Sequence, residues 1–150
     1  SAFQTVTLQE SAMEPTYSVS EKFFVNRALY KVSSPKRGDV IVFKTSASDS
    51  AALHIRRVIG LPGETVQVKD GKIYINGKVY EENGAYQDMT DGGLANSAIT
   101  LESGEYFVLG DNRNNSEDSR YANIGNVKRD YIIGKAWFRF SGIGSFGTIK

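Results

Sequence analysis

Apolar residues recur along this chain with a period of two or in short unbroken runs, the patterns of strands rather than helices. Val6 and Leu8 alternate with Thr5, Thr7 and Gln9, predicting a strand that leads into a sharp turn at Pro15. Val40-Ile41-Val42-Phe43 follows the turn Lys36-Arg37-Gly38-Asp39 and reads as a strand covered on both faces. Residues 53–60 alternate again and stop at the turn Leu61-Pro62-Gly63. Three runs at 65–69, 72–75 and 78–80 are separated by Asp70-Gly71 and Asn76-Gly77. Both dipeptides accept positive φ, so the runs predict a small antiparallel meander. Residues 81–104 carry no strong period and read as loop with one short strand near 98–101. Strand-like runs at 105–109, 132–133 and 136–140 complete the pattern, followed by a glycine- and serine-rich tail. The sum is a mostly-β domain of many short strands.

Composition narrows the chemistry. The 150 residues suit one domain with a small appended lobe, and 40% apolar with 23% charged residues is ordinary for a globular protein. The absence of cysteine excludes disulfides, thiolate catalysis and cysteine-ligated zinc, and the single histidine, His54, excludes a paired-histidine metal motif. A net charge of +1 gives no reason to expect a nucleic-acid partner. No apolar run is long enough to span a bilayer, and the first residues begin mid-strand, as in a chain trimmed ahead of its first strand.

Four blocks carry the remaining information: "SAMEPT" (11–16), "KRGDVIVF" (36–43), "RRVIGLPGE" (56–64) and "GDNRNNSEDSR" (110–120). Singly, each has an ordinary reading as a turn, a strand entry, a loop or a solvated connection. In this order, from about residue 4 to 140, they resemble the bacterial type I signal peptidases. These are membrane-anchored serine proteases that remove signal peptides from exported proteins. The resemblance implies a signal-peptidase-like β core of several antiparallel sheets, built from 1–64 and 105–150, with a small inserted β-hairpin lobe at 65–104.

The resemblance also assigns roles. The family uses a Ser/Lys dyad, in which a lysine stripped of its proton by burial activates a serine hydroxyl. The matching positions here hold Ala12, which has no reactive atom, and Arg56, whose guanidinium stays protonated and cannot act as a base. Ser116 matches the serine that orients the base, and Asp118 and Arg120 match a charged pair that holds the site, with Asp111 beside them. Met13 and Pro15 shape the turn presenting residue 12. The backbone N–H of residue 12 would serve as oxyanion donor, which alanine retains. Some members add a serine two residues upstream; Glu10 stands there instead.

Rescue by neighbours has little support. If 11–16 is extended, the Ser11 hydroxyl faces away from Ala12's side. His54 shares a strand face with Arg56 but has no evident nucleophile.

Substrate would bind as an added strand flanked by residues 5–10 and 52–56, small residues of an Ala-x-Ala pattern entering shallow pockets. Leu8, Met13, Tyr17, Val42 and Ile55 are the candidate pocket walls. Phe23-Phe24 and the run 137–140 are candidates for contact with a membrane surface or for core strand. No cofactor or metal is expected. The implied setting is the extracytoplasmic face of the cell membrane, and the compact length resembles Gram-positive members. Two explanations of Ala12 stay open: a substitution that traps substrate in an otherwise ordinary enzyme, or a natural non-catalytic relative. The latter kind assists an exported partner such as a pilin. A self-cleaving repressor domain fits less well, because no segment resembles a DNA-binding element.

Overall fold

A computed structural model describes residues 2–140 and 146–148. Most of the glycine- and serine-rich tail predicted from sequence lies outside the described residues. In chain order the strands are β1 (Phe3–Thr7), β2 (Lys22–Asn26), β3 (Val40–Phe43), β4 (His54–Gly60), β5 (Thr65–Lys69), β6 (Lys72–Ile75), β7 (Lys78–Val79), β8 (Ile99–Thr100), β9 (Glu105–Leu109), β10 (Val127–Lys128), β11 (Ile132–Phe140) and β12 (Phe146–Thr148). A single-turn helix, α1 (Leu29–Val32), and two short 3₁₀ turns at Gly93–Asn96 and Arg129–Tyr131 complete the described elements. The sequence pattern missed α1, which is too short to show a helical period. Among the described residues no helix is long and apolar enough to cross a membrane.

The main sheet runs β1-β2-β11-β3-β4-β9-β10, with β12 paired to β11, and the second runs β7-β6-β5-β8. Every pairing is antiparallel, as the mostly-β reading expects. The second sheet draws all its strands from residues 65–100. Its hairpins turn at Asp70-Gly71 and Asn76-Gly77, all four at positive φ (52°, 77°, 51° and 79°), the conformation that matches strand twist in a two-residue turn. The segment before β8, read as loop, is irregular apart from its 3₁₀ turn. The two runs expected at 132–133 and 136–140 are one strand with a register shift against β2 and another against β3.

All four residues of β3 are buried because its alternating side chains feed two different cores. Val40 and Val42 enter a cluster with Val6, Leu8, Met13, Tyr17 and Ile55, while Ile41 and Phe43 enter another with Tyr30, Val58 and Val108. A third cluster joins the sheets: Ile59, Phe107 and Leu109 from the main sheet meet Val66, Val68, Ile73 and Leu101.

Phe107 is fully buried at that junction. Phe107→Ala is expected to lower the urea-unfolding free energy by about 3–5 kcal/mol. Val32→Ala, at a site 88% exposed, should change it by less than about 0.5 kcal/mol.

Candidate active site

β4 is the strand that positions the site. It pairs with β3 so that Ile41 faces Arg56 and Val40 faces Arg57, and with β9 from Arg57 onward. Alternation then sends the two arginines to opposite faces. Arg57 reaches Asp111 through two bonds, Nε to Oδ1 at 2.9 Å and Nη2 to Oδ2 at 2.7 Å, and donates to the Gly38 carbonyl. Burial pushes this guanidinium down, but the Asp111 carboxylate more than reverses that, so it lies above its ordinary value.

The loop after β9 is polar in sequence, yet Asp111, Arg113, Asp118, Ser119 and Arg120 are buried, while Asn114, Asn115 and Glu117 are exposed. Asp118, with no exposed surface, accepts from the Gly110 N–H (3.0 Å), the Ser116 hydroxyl (2.8 Å), and the Arg120 N–H, Nε and Nη2 (3.2, 2.9 and 2.9 Å). Arg120 also donates to the carbonyls of Arg113 and Asp91. Arg113 returns to the Gly110 carbonyl and pairs with Glu82, in the segment between β7 and β8. Charges can be buried in this loop only because each buried one is matched. The ordinary reading of 110–120 as a solvated connection therefore holds only for its exposed residues; the buried remainder is polar because it bonds within the loop and to Arg57 and Glu82.

Gly110 is where this loop meets the turn at residue 12. A Cβ there would lie 2.1 Å from Ser116 Oγ and 2.5 Å from the Ala12 carbonyl oxygen, so no side chain fits. The Ala12 carbonyl accepts from Asn112 N–H at 2.9 Å, and the Ser11 carbonyl from Asn112 Nδ2 at 3.2 Å. Among the described residues no acceptor is seen for the Ala12 N–H.

The chain does not run extended through Ser11. It turns, with Glu14 N–H bonded to the Ser11 carbonyl and Tyr17 N–H to that of Met13. The expectation that alternation turns Ser11 away fails for that reason. Ser11, Ala12, Arg56 and Ser116 all line one open depression of about 590 Å³, with Glu10, Asn114, Asn115, Glu117 and Tyr121.

Arg56 is 1% exposed. Its Nη1 donates to Glu10 Oε2 at 2.5 Å and to the Ile55 carbonyl at 2.8 Å, and its Nε to the Glu117 carbonyl at 2.8 Å. Glu10 Oε1 lies 3.0 Å from His54 Nδ1, whose ring also packs on Phe43. Burial pushes the Glu10 carboxyl up; hydrogen bonds from His54 and Arg56, with the charge of both, overcome it and hold the group at about 2. The carboxylate can only accept, so His54 donates through Nδ1. Ser116, expected to face residue 56, shares the depression but donates to Asp118.

Leu8, Met13, Tyr17, Val42 and Ile55 come together, each at most 2% exposed, within the first apolar cluster. Pro15 is exposed on the turn. Sequence reasoning missed Arg57, Arg113 and Glu82, and named Glu10 only for the serine it replaces. The Arg56-Arg57 pair inside an apolar strand was the available signal, since buried arginines require carboxylates.

The comparisons with known proteins agree with this frame. The model of the signal peptidase family, peptidase S26, matches residues 1–141. The chain is 37% identical over 142 residues to the probable signal peptidase I-2 of Synechocystis, covering 89% of this chain and 61% of that protein. It is 35% identical over 145 residues to signal peptidase I T of Bacillus subtilis, covering 92% and 74%. A crystal structure of a signal peptidase I from Enterococcus faecalis superposes with a TM-score of 0.55 at 34% identity, over 69% of this chain and 97% of that one. The fold is thus that of a serine-peptidase core, and the chain belongs to the signal peptidase family, peptidase S26.

The Glu10 carboxylate has a pH signature. Its value is depressed in the fold, so its stabilising contribution is full above the ordinary 4.5 and is lost as the pH falls from there through about 2. The stability difference between the chain and Glu10→Gln should close across that acid window in urea titrations. Carboxyl-detected NMR should place the Glu10 midpoint near 2.

Proposed function

We propose that this chain is a peptide-binding signal peptidase I domain that is catalytically silent. It holds the segment before an Ala-x-Ala site as an added strand beside residues 5–10 and 52–56. The observation that carries the reading is at residues 12 and 56. The first has no nucleophilic atom, and the second is a guanidinium committed to Glu10 and two carbonyls. Three features support strand addition. β1 is the outermost strand of the main sheet, β9 pairs with β4 only from Arg57 onward, and the Ala12 amide remains a donor for a peptide carbonyl. Leu8, Tyr17, Val42 and Ile55, with Met13, are buried in the first apolar cluster and on this reading support the strands beside the peptide from beneath, with almost no exposed surface of their own. Ser116, Asp111, Asp118 and Arg120 keep the presenting loop in shape.

One observation favours a non-catalytic assembly role over an ordinary enzyme carrying a single substitution. Arg56 is not a bare replacement; Glu10 and His54 are arranged around it. On this reading the partner is an exported precursor such as a pilin, met on the extracytoplasmic face of the membrane. Phe3, Phe24 and Trp137, exposed by 49%, 36% and 38%, lie on β1, β2 and β11 and form the membrane-facing edge.

An Ala-x-Ala signal peptide should bind the unmodified chain in a fluorescence-anisotropy titration and remain uncut in overnight mass-spectrometric assays. Ala12→Ser alone should stay inert, and turnover by it would overturn the reading of Arg56. Trp137 is the only tryptophan, so its emission should shift to the blue on vesicles of anionic lipid. An unmoved spectrum would remove the membrane contact.

A further inference from the structure

Glu10 follows the first strand, two residues before Ala12, and reaches across to the first half of β4. Each carboxylate oxygen takes one partner, Oε2 from Arg56 and Oε1 from His54. The two basic side chains are two apart on one face of β4, so one carboxylate bridges both. The other acidic groups near position 56 are committed elsewhere or turned outward. Asp118 is taken up by Arg120, Ser116 and the Gly110 amide, and Glu117 offers its backbone carbonyl while its side chain is exposed. Glu10 is therefore the carboxylate that position 56 meets.

A serine nucleophile needs a base that can be found without its proton. Burial favours that state for a lysine, because it penalises the ammonium; an adjoining carboxylate opposes it, because it stabilises the ammonium. We infer that Glu10 is a third determinant of silence at this site, a positioning residue that holds any cation at position 56 protonated and paired to its own carboxylate. The inference rests on the catalytically silent reading above and extends it from two positions to three. Glu10 itself makes a poor base. Held at about 2, it carries a proton far too reluctantly for work near neutral pH. The same pairing explains how a guanidinium 1% exposed is tolerated in the sheet.

The test compares lysine ionisation with and without the carboxylate. In Arg56→Lys and in Glu10→Gln/Arg56→Lys, the new lysine is followed by ¹³Cε NMR against pH, with a ¹H–¹⁵N spectrum confirming the fold. Removing the carboxylate should lower the lysine midpoint by about one unit or more. An unchanged midpoint overturns the inference, whatever the peptide does. Cleavage is read in parallel with Ala12→Ser/Arg56→Lys and the same pair carrying Glu10→Gln. The triple variant should exceed the double by about ten-fold, the gain in free amine that one unit provides. Equal, measurable rates overturn the inference; if neither variant cuts, the NMR midpoints decide. Failure of the silent-peptidase reading looks different: peptide fails to bind any variant while the lysine midpoints still move with Glu10.

Discussion

The buried carboxylate of Asp118 is the interaction on which the site depends. It takes five hydrogen bonds from three residues, two of them from the Arg120 guanidinium, and so closes the loop that follows β9 into a fixed shape. From that loop Asn112 holds the carbonyls of Ser11 and Ala12, and Asp111 holds Arg57 on β4. Take away the carboxylate and the Gly110 amide, the Arg120 side chain and the Ser116 hydroxyl lose their common partner in a place water does not reach. The frame of the active site is thus electrostatic, whereas the apolar clusters hold the sheets that carry it.

The frame uses no side-chain atom of residue 12 and one bond from residue 56, Arg56 Nε to the Glu117 carbonyl. The turn at 11–17 is fixed by backbone bonds, and the loop by Asp118, Arg120 and Arg113. The chain keeps the architecture of its family with Ala12 and Arg56 seated in this frame. Arg56 is accommodated by the Glu10 carboxylate together with the carbonyls of Ile55 and Glu117, and the Asp118 bonds do not involve it.

Much of the fold was legible because strands announce themselves. The meander at 65–80 follows from its two glycine turns, and the four buried residues of β3 from an unbroken apolar run. α1, β10 and β12 were not legible, being too short to carry a period. The candidate site was legible only by motif. Ala12, Ser116, Asp118 and Arg120 stand on matched blocks, but nothing in the spacing of Glu10, His54 and Arg56 reveals that 44 and 46 residues of separation collapse to hydrogen-bond distance. Ser11 was misjudged because alternation was applied to a segment that turns. Long-range ion pairs and turn geometry are properties of the folded chain, and a period read along the sequence does not contain them.

On the proposed reading, the Ala12 amide, for which no acceptor is seen among the described residues, has a consequence for inhibitors. On that reading, reagents that capture a serine through a covalent bond find no hydroxyl at residue 12, yet the main-chain donor that would cradle their carbonyl oxygen is kept. A reversible peptide mimic and a warhead of the same shape should therefore part company here, the first retaining its grip and the second losing its advantage. In a mixture of active and silent relatives, that difference would sort one kind from the other without any knowledge of their substrates.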